Sequence, residues 1–249
     1  MSARFVWAAK TDVGALRRHN EDCLAVGPHR DLFVVCDGMG GHARGEVASS
    51  TACQTILGVV SAAPSSSVDT AQATLVSAIR CANDRVFGLG RGEEKRPGTT
   101  VAALYFVGDH AVVAHVGDSR VFRLRGGELH QLTRDHSYAN ALVELGVLKP
   151  EQVEDFPHRH LVTRAVGLGR DVEVDVQASE VVPGDIFLVA SDGLEVLAPG
   201  VVQACLALPP AAAAERLIAL SLAEGAPDNV TVLVVRVTEP ISVRKKRVA

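Results

Sequence analysis

Four aspartates lie at the ends of apolar runs that predict buried strands: Asp37, Asp118, Asp192 and Asp228. Each one alone is typical of a turn, because Asp and Gly are common turn residues. If the four strand ends meet at one rim, their carboxylates repel one another unless cations lie among them. Ligand sets made only of oxygen suit hard ions, Mg²⁺, Mn²⁺ or Ca²⁺, rather than zinc. The pattern therefore predicts a site for divalent cations, provided that the fold brings these strand ends together.

Two polar segments near the N-terminus add to this pattern. A dense polar cluster stands just before a predicted strand and contains Arg17, His19, Asn20, Glu21 and Asp22. A planar guanidinium beside acids suits a phosphate or a carboxylate. Gly38 opens a flexible loop that ends at His42, and a glycine lets a backbone carbonyl approach an ion closely. Taken alone, His42 is also compatible with an ordinary surface histidine.

Together these residue types favour metal-assisted phosphoester hydrolysis. Two cations about 3.5–4 Å apart generate a hydroxide and stabilise in-line displacement at phosphorus. A structural Ca²⁺-binding module uses the same carboxylate ligands without any turnover. The residues alone leave both interpretations open.

The elements that must position these residues are predicted to be strands, with helices in separate pairs. Helical spacing predicts helices over 45–60, 69–89, 139–145 and 211–223, the second with Asp69 as its N-cap. Gly108-Asp109 and Gly126-Gly127 are hairpin signals within a run of strands over 101–132. Further strands are predicted over 31–36, 172–176, 186–190 and 230–237. We therefore expect an α+β fold, with two antiparallel sheets packed face to face and helices outside.

The composition is that of a globular protein. The chain has 249 residues, 47% apolar and 22% charged, with a net charge of −4, which argues against a general nucleic-acid binder. No secretory signal or membrane span is predicted, and five cysteines without CxxC spacing are typical of reduced thiols in a cytoplasmic protein. We expect one domain over 1–240, with a functional or merely structural surface insertion over 137–160, and a basic, solvated tail over 241–249.

Six motifs, taken in order along nearly the whole chain, resemble a known family. They are Arg17-Arg-His-Asn-Glu-Asp22, Asp37-Gly-Met-Gly-Gly-His42, Gly98-Thr-Thr100, Gly117-Asp-Ser-Arg120, Ser191-Asp-Gly193 and Asp228-Asn229. The family is that of the metal-dependent serine/threonine protein phosphatases of type 2C, in their bacterial form. The resemblance implies two antiparallel sheets between pairs of antiparallel helices, which agrees with the predicted elements.

The resemblance also implies a ligand set for two Mn²⁺ or Mg²⁺ ions. Asp37 would bridge the two ions, and Gly38 would offer its carbonyl to one of them. Asp192 and Asp228 would bind the second ion. Asp118, together with Asp192, would hold a weaker third ion.

Other matching residues take implied roles around these ions. Glu21 and Asp22 would hold metal-bound waters in the outer shell. Arg17 would bind the substrate phosphate, and His42 would be the candidate general acid. The insertion over 137–160 would be the flap beside the active site, which influences substrate choice and third-metal binding in the family.

The implied partners are phosphorylated proteins, namely bacterial serine/threonine kinases and their substrates. From the sequence itself we expect no nucleic acid, no membrane anchor and a monomer. The alternatives are a phosphoprotein-binding module without turnover and a phosphatase for a phosphorylated regulator of transcription. Two positions raise separate questions. Glu195 stands where small or polar residues are commoner in the family, and Cys36, directly before Asp37, is either a packed thiol or a redox-sensitive one.

Overall fold

A computed structural model describes residues 5–29, 31–40, 44–92, 95–153 and 155–238. Within these residues the chain forms eleven strands and five α-helices. The strands are β1 (Phe5–Asp12), β2 (Asp22–Val26), β3 (Leu32–Met39), β4 (Gly98–Thr99), β5 (Val101–Val107), β6 (His110–Val116), β7 (Arg120–Arg125), β8 (Glu128–Gln131), β9 (Asp175–Glu180), β10 (Ile186–Ala190) and β11 (Val230–Val237). The helices are α1 (Arg44–Ala62), α2 (Val68–Leu89), α3 (Tyr138–Glu144), α4 (Pro199–Leu206) and α5 (Pro210–Ala223).

The strands form two antiparallel sheets. One has the order β1-β11-β10-β7-β8, and the other has the order β2-β3-β5-β6-β9, with β4 paired to β3. Hairpins at Gly108-Asp109 and Gly126-Gly127 join β5 to β6 and β7 to β8, as predicted. The predicted α+β class, with two antiparallel sheets and outer helix pairs, is confirmed.

Three apolar layers hold this arrangement together. Phe33 and Val35 of β3 pack between the sheets with residues such as Phe187. Leu32 and Val34, on the opposite face of the same strand, pack under α1 and α2. Helices α4 and α5 cover the other sheet through a separate cluster. Because alternate side chains of a strand point to opposite faces, a strand buried on both faces reads as the continuous apolar run seen in β3.

Several local predictions need correction. The N-cap of α2 is Ser67 rather than Asp69, and Ser67 exchanges hydrogen bonds with Thr70 in a capping box. The strand predicted over 172–176 is β9 and begins only at Asp175. The sequence analysis predicts no helix at α4, whose first turn contains Pro199, a position where the missing N–H of proline costs nothing.

The segment over 137–160 leaves the sandwich and returns to it at one place. It contains α3, capped by the Ser137 hydroxyl, and a short 3₁₀ turn at Pro150–Gln152. An isolated bridge pairs Ser137 with Val162. We call residues 137–160 the flap. Among the described helices, none is both long and apolar enough to cross a bilayer.

One buried amide connects α2 to the loop that leads into β9. The Asn83 side chain is almost fully buried, accepts from the Gly167 N–H, and donates to the carbonyls of Gly169 and Arg170. Its removal leaves three backbone groups without this partner.

We expect Asn83→Ala to lower the free energy of unfolding by about 2–4 kcal/mol, since each buried group left unsatisfied costs about 1–3 kcal/mol. Urea denaturation measures this directly. Asn140→Ala, at a less buried amide with one backbone partner, is the matched control and should cost less. Equal losses in the two variants would contradict the role given to Asn83.

Candidate active site

The four strand-end aspartates meet at one edge of the sandwich. Asp37 lies in β3, paired across the sheet with Asp22 of β2. Asp118 follows β6, Asp192 opens a 3₁₀ helix directly after β10, and Asp228 stands two residues before β11. The ends of both sheets thus deliver carboxylates to the same rim, which is the condition that the sequence analysis set for a cation site.

Burial and mutual repulsion dominate the electrostatics of this rim. Burial, together with the negative charges of Asp22 and Asp192, raises the pKa of Asp37 well above its ordinary range. Burial first, and then the neighbouring carboxylates, raises the pKa of Asp22 to about 6 and that of Asp118 to about 8. The pKa of Asp192 is raised by burial and by Asp228. Carboxyls in such a group ionise fully only when positive charge joins them.

Two carboxylate oxygens of the rim are buried without a hydrogen-bond partner among the described residues: Asp22 Oδ1 and Asp192 Oδ1. The other oxygen of Asp22 is well satisfied, since it accepts from the hydroxyls of Ser191 and Thr231 at 2.8 and 2.6 Å. Buried acceptors without donors are costly. A cluster of hard oxygen donors with unpaired lone pairs fits divalent Mg²⁺, Mn²⁺ or Ca²⁺.

Threonine side chains hold the backbone around Asp37. The Asp37 N–H donates to the Thr100 hydroxyl at 2.9 Å, and the Thr99 hydroxyl donates to the Asp37 carbonyl at 2.8 Å. Thr100 also shares a hydrogen bond with Ser119, the residue after Asp118. Both threonines belong to one of the six sequence motifs. Their contact with Asp37 depends on strand pairing, which only the structure reveals.

Gly38 and Gly193 lie where backbones come too close for a side chain. A Cβ on Gly38 would stand 2.1 Å from the Gly45 carbonyl oxygen, and one on Gly193 would stand 2.1 Å from that of Asn229. These contacts keep the residues next to Asp37 and Asp192 firmly packed. The sequence analysis singled out Gly38 because its carbonyl could bind an ion. The structure adds a second reason for glycine, which is the lack of space for a side chain.

Asn229 organises the polar cluster before β2. Its side chain accepts from the Glu21 N–H at 2.7 Å and donates to the carbonyls of Val13 and His19. Glu21 therefore lies beside the rim, next to Asp22. The structural role of Asn229 was missed, since the sequence showed it only as a neighbour of Asp228.

Arg17 reaches the same rim from a half-exposed position. Its guanidinium donates to Asp228 Oδ2, and its side chain is 52% exposed, so it is open to an anion from solvent. The structure therefore unites Arg17, Glu21, Asp22 and the four strand-end aspartates. His42 lies outside the described residues.

A cleft of about 700 Å³ adjoins Asp118 between the flap and the sandwich. Arg120 stands on its wall and donates both to Asp135 and to Glu195. His160 of the flap contacts Glu195 Oε2 at 3.2 Å. Glu195, the departure noted in the sequence, is thus a contact between flap and rim. Cys36 is fully buried and free of any disulfide.

Comparison with known proteins decides the family. The family profile described as protein phosphatase 2C matches residues 17–225. The chain belongs to this family. It is 37% identical over 237 residues to the serine/threonine protein phosphatase PstP of Mycobacterium tuberculosis, over 94% of this chain and 45% of that protein. It therefore spans less than half the length of that relative.

In two further comparisons, the alignment covers almost the whole length of both proteins. The protein phosphatase PhpP of Streptococcus pneumoniae is 34% identical over 241 residues, over 92% of this chain and 96% of that protein. The solved catalytic domain of PstP, in complex with two manganese ions, aligns with a TM-score of 0.83 at 36% identity, over 94% and 99% of the two chains. The PstP catalytic domain therefore shares the fold described above.

The raised pKa values predict that cation binding stabilises this protein more as the pH rises. In an unfolded chain these carboxyls ionise near pH 4 (about 3.9), so folding retains protons that the unfolded chain releases. The metal-free protein therefore loses this part of its stability as pH rises through about 6 and 8, the folded pKa values of Asp22 and Asp118. Cations bind the deprotonated carboxylates and reverse this loss.

We expect the difference in Tm between excess Mn²⁺ and EDTA to be several degrees larger at about pH 8 than at about pH 5. Thermal unfolding monitored by circular dichroism measures it. Asp109→Asn, at an exposed hairpin carboxylate, should keep the full difference, and Asp192→Asn should reduce it. An equal Mn²⁺ effect at both pH values would contradict the role of these groups.

Proposed function

We propose that this chain is a metal-dependent phosphatase of phosphoserine and phosphothreonine in proteins. One observation carries the proposal: buried carboxylates meet at a single rim, and two of their oxygens lack any partner among the described residues. A half-exposed arginine stands beside them. The names of PstP and PhpP support the same activity.

The ligand assignments are part of the proposal. Asp37, the carbonyl of Gly38, Asp192 and Asp228 would hold two Mn²⁺ or Mg²⁺ ions, and Asp118 a weaker third ion. Such ions supply Lewis acidity at phosphorus and lower the pKa of the attacking water. The PstP catalytic domain with two manganese ions supports this stoichiometry.

The remaining residues bind and orient the substrate or move its protons. Arg17, already paired with Asp228, offers bidentate donors to the equatorial oxygens of a phosphoryl group. Glu21 and Asp22 would accept hydrogen bonds from water around the ions. His42 donates a proton to the departing serine or threonine oxygen, which is a poor leaving group without it.

The domain organisation of the chain and its binding partners are also part of the proposal. We assign one catalytic domain to 1–240, a flap to 137–160 and a basic tail to 241–249. The substrates would be phosphorylated bacterial proteins, including serine/threonine kinases, and the protein would act as a cytoplasmic monomer. PstP and PhpP support the substrate class by name only.

Hydrolysis of a phosphothreonine peptide tests the activity. We expect phosphate release with Mn²⁺, none with EDTA, and a loss on the order of 10³-fold in Asp192→Asn, because the metal contributes several kcal/mol to catalysis. The exposed Asp109→Asn variant should match the wild type. Peptide binding without release, from folded wild-type protein in Mn²⁺, would instead indicate a phosphoprotein-binding module.

The role of His42 predicts a dependence on the leaving group. His42→Ala should slow a phosphoserine peptide by about 10²–10⁴-fold, while p-nitrophenyl phosphate, whose phenolate leaves without a proton, is slowed far less. Parallel kcat measurements on both substrates test this. His29→Ala, in an exposed turn, is the control, and equal slowing of both substrates by His42→Ala would exclude the role.

A further inference from the structure

His136 makes two reciprocal contacts with Gly117, the residue directly before Asp118. The backbone N–H of Gly117 donates to the ring nitrogen Nδ1 of His136 at 3.0 Å. The backbone N–H of His136 donates to the Gly117 carbonyl at 3.0 Å. Gly117 has a φ of +100°, and a Cβ on it would stand 2.7 Å from Thr100 Cγ2. The peptide before Asp118 is therefore fixed between His136 and Thr100.

The other ring nitrogen of His136 faces an ion pair. His136 Nε2 lies 3.4 Å from Asp175 Oδ2 and 3.0 Å from a guanidinium nitrogen of Arg164, which contacts Asp175 at 2.6 Å. Burial, His115 and Arg164 lower the pKa of the His136 imidazole. Both ring nitrogens are engaged: Nδ1 receives the Gly117 N–H, and Nε2 faces the Arg164 guanidinium and the Asp175 carboxylate.

The Arg164 guanidinium argues against a cation at the same place. His115, His136 and Asp175 bring possible ligand atoms within 4.8 Å of one another. A cation bound to His136 Nε2 and Asp175 would lie against the positive Arg164 guanidinium, which already contacts both groups. The three residues instead form a hydrogen-bonded support, in which the rings of His115 and His136 stack at 4.8 Å.

The same histidine lies where the flap leaves and rejoins the sandwich. The flap begins at the next residue, Ser137. The His136 carbonyl accepts from both the N–H and the hydroxyl of Thr163, just beyond the end of the flap. His136 therefore makes hydrogen bonds to the loop before Asp118 through its ring and its backbone N–H. Its backbone carbonyl makes hydrogen bonds to the chain that returns from the flap.

We propose that His136 is a positioning residue that sets the Asp118 carboxylate through Gly117 and joins it to the base of the flap. The inference rests on the proposed function, in which Asp118 holds the weaker third ion. His136 touches neither substrate nor ion. Its effect is expected on the affinity of the third ion and on the order of the Gly117 amide.

Substitution of His136 by an amide residue allows the contact at Nδ1 to be tested apart from the contact at Nε2. An asparagine at this position places its Oδ1 near the site of Nδ1 and keeps the acceptor for Gly117, whereas a glutamine reaches toward Asp175 and loses that acceptor. The test therefore compares His136→Asn, His136→Gln and His136→Ala in the full chain. His130→Asn, at a half-exposed histidine of β8, is the control.

Two measurements are made on each variant. Calorimetric titration with Mn²⁺ reports the affinity of every ion, and hydrogen exchange followed by mass spectrometry reports the amides around Gly117. We expect His136→Ala and His136→Gln to weaken the lowest-affinity ion by about 10–100-fold, as lost outer-shell partners do, with the two tighter ions unchanged. The Gly117 amide should exchange about 10-fold faster in both, as a lost hydrogen bond permits. His136→Asn should stay near the wild type.

Several outcomes overturn the inference. Unchanged third-ion affinity in His136→Ala and His136→Gln would do so, and so would equal losses in His136→Asn and His136→Gln. If His136→Ala does not fold, the comparison of His136→Asn with His136→Gln decides alone.

Loss of one tightly bound ion in all three variants and in Asp175→Asn would indicate a cation site at the cluster of His115, His136 and Asp175 instead. A wild type without Mn²⁺-dependent hydrolysis would refute the proposed function, while amide exchange would still test the contact with Gly117.

Discussion

The repulsion among buried carboxylates at one rim is the constraint on which the rest of this structure depends. Burial raises the pKa values of Asp22, Asp37, Asp118 and Asp192 together, so the rim opposes folding whenever it is ionised without cations. The apolar layer between the sheets and the two layers under the helix pairs must outweigh that opposition. Affinity for cations and a cost to the metal-free fold are therefore two consequences of one arrangement.

A rim of this kind is useful only if its carboxylates cannot move apart, and neutral groups prevent that movement. Thr99 and Thr100 hold the backbone on both sides of Asp37, and Ser191 and Thr231 fix one oxygen of Asp22. Hydroxyl donors hold a carboxylate without neutralising it, whereas a lysine at these places would compete with the cation. The residues that hold Asp37 and Asp22 are accordingly small and uncharged.

The sequence predicted the positions of the strand-end aspartates better than it predicted the residues that support them, for a physical reason. The apolar run of β3 leads into Asp37-Gly38, and that of β10 is followed by Ser191-Asp192-Gly193, so the place of Asp37 and Asp192 follows from local pattern. Asn229, Thr100 and His136 act through partners far along the chain, such as Glu21 for Asn229, and no local pattern encodes strand register. The sequence analysis predicts no helix at Pro199, although a residue that stops a helix in its interior also starts one at its first turn.

Glu195 illustrates how the flap meets this constraint. It adds a negative charge near a rim already rich in carboxylates, and burial raises its pKa. Arg120 and His160 contact it from two sides, and both also lower the pKa of Asp192. The added acid is thus held by one side chain from strand β7 and one from the flap. Its carboxylate therefore connects the flap to strand β7 beside the rim.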